Sequence, residues 1–162
     1  MKSRLNLGIS HENDEEVLEK RKIFIVEDDL VLLETLQDIL SQFGFDCKGC
    51  NDAAVASHLI EAYRPDLILL DYMLPDWNGG ELCSAIRGIE GFEYVPIIIT
   101  SAYANILFSV SEFGCDAVLE KPFEISKLIS LINDMLTTRR SDSGLMPKIK
   151  RLIQTVSPKL RT

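Results

Sequence analysis

Four stretches of the chain run apolar for the length of a strand and then stop at polar or charged residues. They are Lys22-Ile-Phe-Ile-Val26 before Glu27-Asp28-Asp29, Leu67-Ile-Leu-Leu70 before Asp71, Pro96-Ile-Ile-Ile99 before Thr100-Ser101, and Ala117-Val-Leu119 before Glu120-Lys121. Short apolar runs bounded by turn residues predict strands buried on both faces. Between them the period changes. Leu32, Leu33, Leu36, Ile39, Leu40 and Phe43 fall at helical spacing over Leu30–Phe43, and Gly44 closes that helix. Phe45–Gly49 predicts a strand at a sheet edge and Asn51–Tyr63 a second helix. Gly79–Gly88 predicts a short helix with Leu82, Cys83 and Ile86 inward, and Ile125–Leu136 a closing one. A helix over Asn105–Phe113 carries Ile106, Leu107, Phe108, Val110 and Phe113, which cannot all face one core and so predict an exposed apolar patch. Strands alternating with helices predict an α/β fold with a parallel sheet.

Parallel strands deliver their carboxyl ends to one edge of the sheet, the edge where open α/β folds bind ligands. Glu27, Asp28, Asp71, Thr100 and Lys121 all lie at such ends. Asp71 by itself reads equally well as a loop aspartate capping the next helix; its company decides the matter. Carboxylates crowded together repel, so the set asks for a divalent cation with oxygen ligands, and Mg²⁺ is the usual one where phosphate is involved. Beside it Asp71 can serve as a nucleophile toward phosphorus. The Lys121 ammonium and the Thr100 hydroxyl can meet the phosphoryl oxygens. Asp29 reads as the N-cap of the first helix rather than as a third ligand on its strand.

At these residues the chain resembles the receiver domain of two-component response regulators. The resemblance runs from Lys22 to Leu136. It rests on Ile-Val-Glu27-Asp28, Leu-Leu-Asp71-Tyr-Met-Leu-Pro75 with Gly79-Gly80, Ile-Ile-Ile-Thr100-Ser101-Ala102 and Lys121-Pro122-Phe123. It implies a flavodoxin-like, doubly wound, five-stranded parallel sheet in the order 2-1-3-4-5 with helices on both faces. It implies Asp71 as the phosphorylation site, fed by a sensor histidine kinase or a phosphotransfer protein. Asp28 would hold Mg²⁺ directly, Glu27 through water, Asp71 and the Met73 carbonyl would complete the set, Lys121 would pair with the phosphoryl group, and Lys121-Pro122 would be cis. The altered surface around the helices after Thr100 and Lys121 would then bind a downstream protein or a second copy of the chain as a homodimer. Two departures stand out. Val118 occupies the position, three before the lysine, where the family pattern has Tyr or Phe, and the spacing from Thr100 to Lys121 is one residue short; both imply output by a modified route. Met73 and Ala102 offer no polar group to position a hydrolytic water, which implies a long-lived phosphoryl group.

With 162 residues, 46% of them hydrophobic, the chain has room for one core. Residues 1–21 read as a polar, acidic extension, 22–137 as the receiver domain and 138–162 as a linker followed by a basic tail. Pro147–Val156 predicts a short amphipathic helix on Ile149, Leu152, Ile153 and Val156, too short for a complete DNA-binding output domain. A net charge of −8 argues against direct nucleic-acid binding by the main domain. No stretch is long and apolar enough for a membrane span and Met1 opens no signal-peptide core, so the expected place is the cytoplasm. Cys47-x-x-Cys50 lacks a second pair at zinc spacing, and reduced thiols are expected throughout. His11 and His58 carry no assigned function. A haloacid-dehalogenase-like phosphatase would also use an aspartyl nucleophile, but it wants a second Asp two residues on, where this chain has Met73; a non-enzymatic switch is expected instead. The remaining alternatives are a constitutive interaction module of receiver fold, favoured by Val118, and the N-terminal receiver part of a longer regulator.

Overall fold

The computed structural model describes residues 19–103 and 113–141. Five strands, β1 (Lys22–Val26), β2 (Asp46–Cys50), β3 (Leu67–Asp71), β4 (Ile97–Ser101) and β5 (Ala117–Glu120), form one sheet in the order β2-β1-β3-β4-β5. Every pairing is parallel. Four helices, α1 (Leu30–Gln42), α2 (Ala53–Tyr63), α3 (Gly79–Arg87) and α4 (Ile125–Ser141), are described around it. The parallel sheet expected from the alternating pattern is therefore present, doubly wound and in the strand order that the resemblance implies.

Side chains along a strand point alternately to the two faces, and the two cores divide on that period. Phe24, Val26, Ile68, Leu70, Ile97 and Ile99 pack with Ala56 and Ile60 of α2 and Leu82, Cys83 and Ile86 of α3. Ile23, Ile25, Leu67, Leu69 and Ile98 pack with Leu33, Leu36 and Leu40 of α1 and Leu128 and Ile132 of α4. β3 is buried at every residue because both faces are covered. Each such side chain withdrawn from water contributes roughly 1.5–3 kcal/mol before the entropy of ordering is subtracted.

Local chemistry sets the helix ends. Asp29 caps α1 by accepting from Val31 N and Leu32 N at 2.9 and 3.1 Å, as expected. Gly44, at φ +90°, provides the left-handed turn that α1 needs before β2. Asp52 caps α2 through Ala54 N at 2.8 Å.

The structure corrects the pattern at three points. β2 starts at Asp46, one residue late, because the Phe45 N–H donates to Leu40 O at the end of α1 instead of joining the sheet. Phe43 is the C-cap of α1 and 56% exposed, having rotated past the buried stripe. α4 continues through Ser141, past the expected end at Leu136: no Pro or Gly interrupts it, and Thr138 Oγ1 bonds back to Asp134 O at 2.8 Å. Cys47 and Cys50 stand on β2 and pack against opposite cores, so they share no site. Burial pushes the Cys47 and Cys83 thiols up to about 11, which keeps them protonated. The helix expected over Asn105–Phe113 falls on 104–112, outside the described residues, except for Phe113; the arm up to residue 18 and the tail from 142 lie outside them as well.

Candidate functional site

The parallel registry fixes which side chains meet. Asp71, the last residue of β3, is the register partner of Thr100 on β4, and Ser101 is the partner of Glu120 on β5. Tyr72 N extends the ladder to Thr100 O at 2.9 Å, and Lys121 N extends it to Ser101 O at 2.7 Å. Glu27 follows β1 directly and is tied to the edge strand by its backbone N–H, which donates to Cys50 O at 3.2 Å. Glu27, Asp71 and Thr100 are buried polar residues and Asp28 is exposed.

Carboxylate oxygens of Glu27, Asp28 and Asp71 lie within 4.8 Å of one another. Lys121 closes the fourth side. Its Nζ donates to Glu27 Oε2 at 2.8 Å and stands 3.1 Å from Asp71 Oδ2. The Lys121-Pro122 peptide is cis. Burial pushes the Glu27 carboxyl up to about 7, the Lys121 hydrogen bond opposes that rise, and the charge on Asp71 adds to it. Burial works against the Lys121 ammonium, but the hydrogen bond to Glu27 and the charge on Asp71 outweigh it and leave its pKa raised. The cluster is short of positive charge, and its donor atoms are all oxygens. An oxygen-only set with a partly protonated acid fits a small hard divalent cation, which would displace that proton.

The loop after β3 is held close by its own backbone. Met73 N donates to Asp71 Oδ1 at 3.3 Å, and Met73 pairs with Asn78 in an antiparallel bridge. Asn78 and Glu81 form a reciprocal capping box that starts α3. Sequence reasoning missed this box; the Asn-x-x-Glu spacing was its signal. Trp77 lies in the loop, 39% exposed. All the residues expected at the site are thus brought to one end of the sheet: Glu27, Asp28, Asp71, Thr100 and Lys121 by strand ends, and Met73 by the loop.

The family model of the response regulator receiver domain matches residues 23–133. Among curated relatives, the DNA-binding response regulator MtrA of Mycobacterium tuberculosis is 35% identical over 125 residues, which are 76% of this chain and 53% of that protein. The chain thus spans about half the length of the curated relatives it matches. Among solved structures, a CheY-like receiver domain protein from Methanospirillum hungatei has a TM-score of 0.70 at 27% identity, covering 75% of this chain and 98% of the other. The receiver domain of the sensor histidine kinase PA1611 from Pseudomonas aeruginosa, solved with a magnesium ion coordinated in its active-site cleft, has a TM-score of 0.67 at 27% identity, covering 73% and 98%.

Proposed function

The chain belongs to the response regulator receiver domain family, whose members are phosphorylation-controlled signalling switches, and on that premise we propose that Asp71 is its phosphoacceptor. The observation that carries the reading is Lys121 Nζ at 3.1 Å from Asp71 Oδ2, inside a cluster of carboxylate oxygens at the carboxyl end of the sheet.

In the proposed reaction a carboxylate oxygen of Asp71 forms a bond to phosphorus while the P–N bond of a phosphohistidine donor breaks, the imidazole nitrogen keeping the bonding pair. Lys121 neutralises phosphoryl oxygens and Thr100 donates a hydrogen bond to them. Glu27, Asp28, Asp71 and the Met73 carbonyl would hold Mg²⁺, which supplies charge neutralisation for the transferring group. Asp29 takes no part, being engaged as a helix cap.

Receiver domains work with histidine kinases or phosphotransfer proteins and with downstream partners. The proposed donor is a protein phosphohistidine, and the proposed output is an altered surface for another protein or for a second copy of the chain. Direct nucleic-acid binding is not proposed for residues 22–137, in keeping with the net charge of −8 over the whole chain. Among the described residues no helix is long and apolar enough to cross a membrane. The proposed place of action is the cytoplasm, where a kinase finds its nucleotide and Mg²⁺.

Intact-protein mass after incubation with acetyl phosphate tests the reading. A Mg²⁺-dependent phosphoryl adduct, absent in Asp71→Asn, is expected. No adduct in the native chain would instead favour a constitutive module.

A further inference from the structure

Phe113 sets its ring against the first turn of α3. A Cβ built on Gly80 would lie 2.6 Å from Phe113 Cε2, 2.7 Å from its Cγ and nearer still to its Cδ2, so the ring fills the volume that residue 80 leaves open. Gly79 is pressed from the other side. A Cβ there would fall 2.5 Å from Asp71 O and 2.8 Å from Tyr72 Cα, and Gly79 N donates to Tyr72 O at 2.8 Å. Two adjacent glycines therefore separate the main chain of Asp71 from an aromatic ring, with no side chain between.

α3 also grips the backbone that carries the ring. Ser84 Oγ donates to Phe113 O at 3.4 Å and Arg87 Nε donates to Gly114 O at 2.8 Å. Arg87 continues to Asp116 at 2.6 Å, and Asp116 also accepts from Ile97 N at the start of β4. The segment leading into β5 thus rides on α3. The two sides of the glycine pair yield unequally: β3 is buried at every residue, whereas Phe113 is only half-buried. Val118, on the same face of the sheet, is buried at 4% exposure and has no ring to move.

We infer that Phe113 is a positioning residue for the Asp71 site: through Gly79 and Gly80 it sets the Asp71–Gly79 loop, and in return a change at Asp71 displaces the Phe113 ring. This rests on the reading of Asp71 as phosphoacceptor. Asp71 Oδ1 accepts from Met73 N, so an added group on the carboxylate redraws the hydrogen bonding of the loop. A packed interior passes such a shift on as displacement rather than absorbing it. The outlet is the half-buried ring. The coupling requires that the ring differ between the two states of the site.

The test uses the full chain labelled with 4-fluorophenylalanine, the Phe113 signal being the ¹⁹F resonance missing from Phe113→Leu. Mg²⁺ and beryllofluoride, a phosphoryl mimic with ¹⁹F signals of its own, are then added. We expect bound beryllofluoride and a moved Phe113 resonance, with the Phe45 resonance, from the opposite core, unmoved. Bound beryllofluoride with an unmoved Phe113 resonance overturns this inference and leaves the phosphoacceptor reading intact. No bound beryllofluoride overturns both. A second arm follows phosphoryl uptake from acetyl phosphate by mass. Gly80→Ala should slow uptake about fivefold with Mg²⁺ affinity unchanged, a size within the usual range for residues in contact. The Gly80→Ala/Phe113→Ala double variant should return to the rate of Phe113→Ala alone. A merely structural ring would lower Tm in Phe113→Ala and leave its phosphoryl uptake at the native rate, and that result also overturns the inference.

Discussion

Lys121 Nζ stands between two acids, 2.8 Å from Glu27 Oε2 and 3.1 Å from Asp71 Oδ2, and so the only described cation within salt-bridge distance of Asp71 also neutralises its neighbour. Lys121→Met leaves both carboxylates buried without a cationic partner, Asp71 keeping its bond from Met73 N. Loss of one member of such a pair costs about 3 kcal/mol, part of which the protonation of Glu27 relieves. The expected result is a lower Tm together with phosphoryl uptake reduced about a hundredfold or more, in line with removal of one preorganised charge. Thermal unfolding and mass-detected uptake check the two effects separately. Uptake within a few fold of the native chain would remove Lys121 from the site chemistry.

Glu27 sets a pH dependence whose sign follows from its raised pKa. Burial holds its proton up to about 7 against an ordinary 4.5. The folded chain therefore prefers the protonated acid, and the stabilisation this gives is fully present below about 4.5 and lost as pH rises through about 7. Without divalent cation the protein should have a lower Tm at pH 8 than at pH 6. A cation has to displace that proton, so its affinity should run the other way, strengthening about fivefold from pH 6 to pH 7 and about tenfold in all by pH 8. Titration calorimetry with Mg²⁺ at each pH is the measurement. Glu27→Gln should flatten the profile. Equal Mg²⁺ affinity at pH 6 and pH 8 in the native chain would contradict the assignment of Glu27 as the titrating group.

Most of the sheet and of the acidic cluster is legible in the residue pattern itself. Four of the five strands stand out as apolar runs ending in a polar or charged residue, because a strand covered on both faces needs no polar alternation. Asp29 separates from Asp28 because the helical period begins immediately after it. Other features lie outside what a local pattern encodes. α4 runs past Leu136 through Thr137 and Thr138, where backbone bonding sustains a helix that no apolar period marks. Phe43 fits the stripe of α1 and is nevertheless exposed. Phe113 belongs by its spacing to an exposed patch, but its ring lies on Gly80, and no periodicity within its own segment records the space left by a glycine on another element.

Arg87 is the main tie between α3 and the segments that flank it. Its guanidinium donates to Gly114 O, Phe92 O and Val95 O at 2.7–2.9 Å and pairs with Asp116 at 2.6 Å. Arg87→Met keeps most of the aliphatic stem and removes every donor, leaving the Gly114 and Val95 carbonyls to find water and Phe92 O with its bond from Val95 N. A loss of about 2–4 kcal/mol is expected from several charge-assisted bonds, read as a denaturation midpoint shift at unchanged m-value. Arg87→Lys should recover little of it, since an ammonium cannot match the planar fork. Native-like stability in Arg87→Met would show that the carbonyls rehydrate without cost.

The lifetime of the phosphoryl group depends on whether a side chain can aim water at it. Met73 is 52% exposed beside Asp71, with its N–H bonded to the Asp71 carboxylate, and Ala102 follows β4 at the same end of the sheet. Neither carries a group that can orient or deprotonate water. Met73→Glu places a carboxylate on the same exposed stem without disturbing the core. It should shorten the phosphoryl half-life about tenfold, less than the hundredfold or more expected of a fully positioned general base. Ala102→Glu should act in the same direction. The measurement is decay of the phosphorylated mass after the small donor is removed, with Mg²⁺ held constant, because a carboxylate near the site can also alter cation affinity. A half-life that stays the same in both variants would place the attacking water out of reach of residues 73 and 102, and the lifetime would then be set by Lys121, Thr100 and the metal ligands alone.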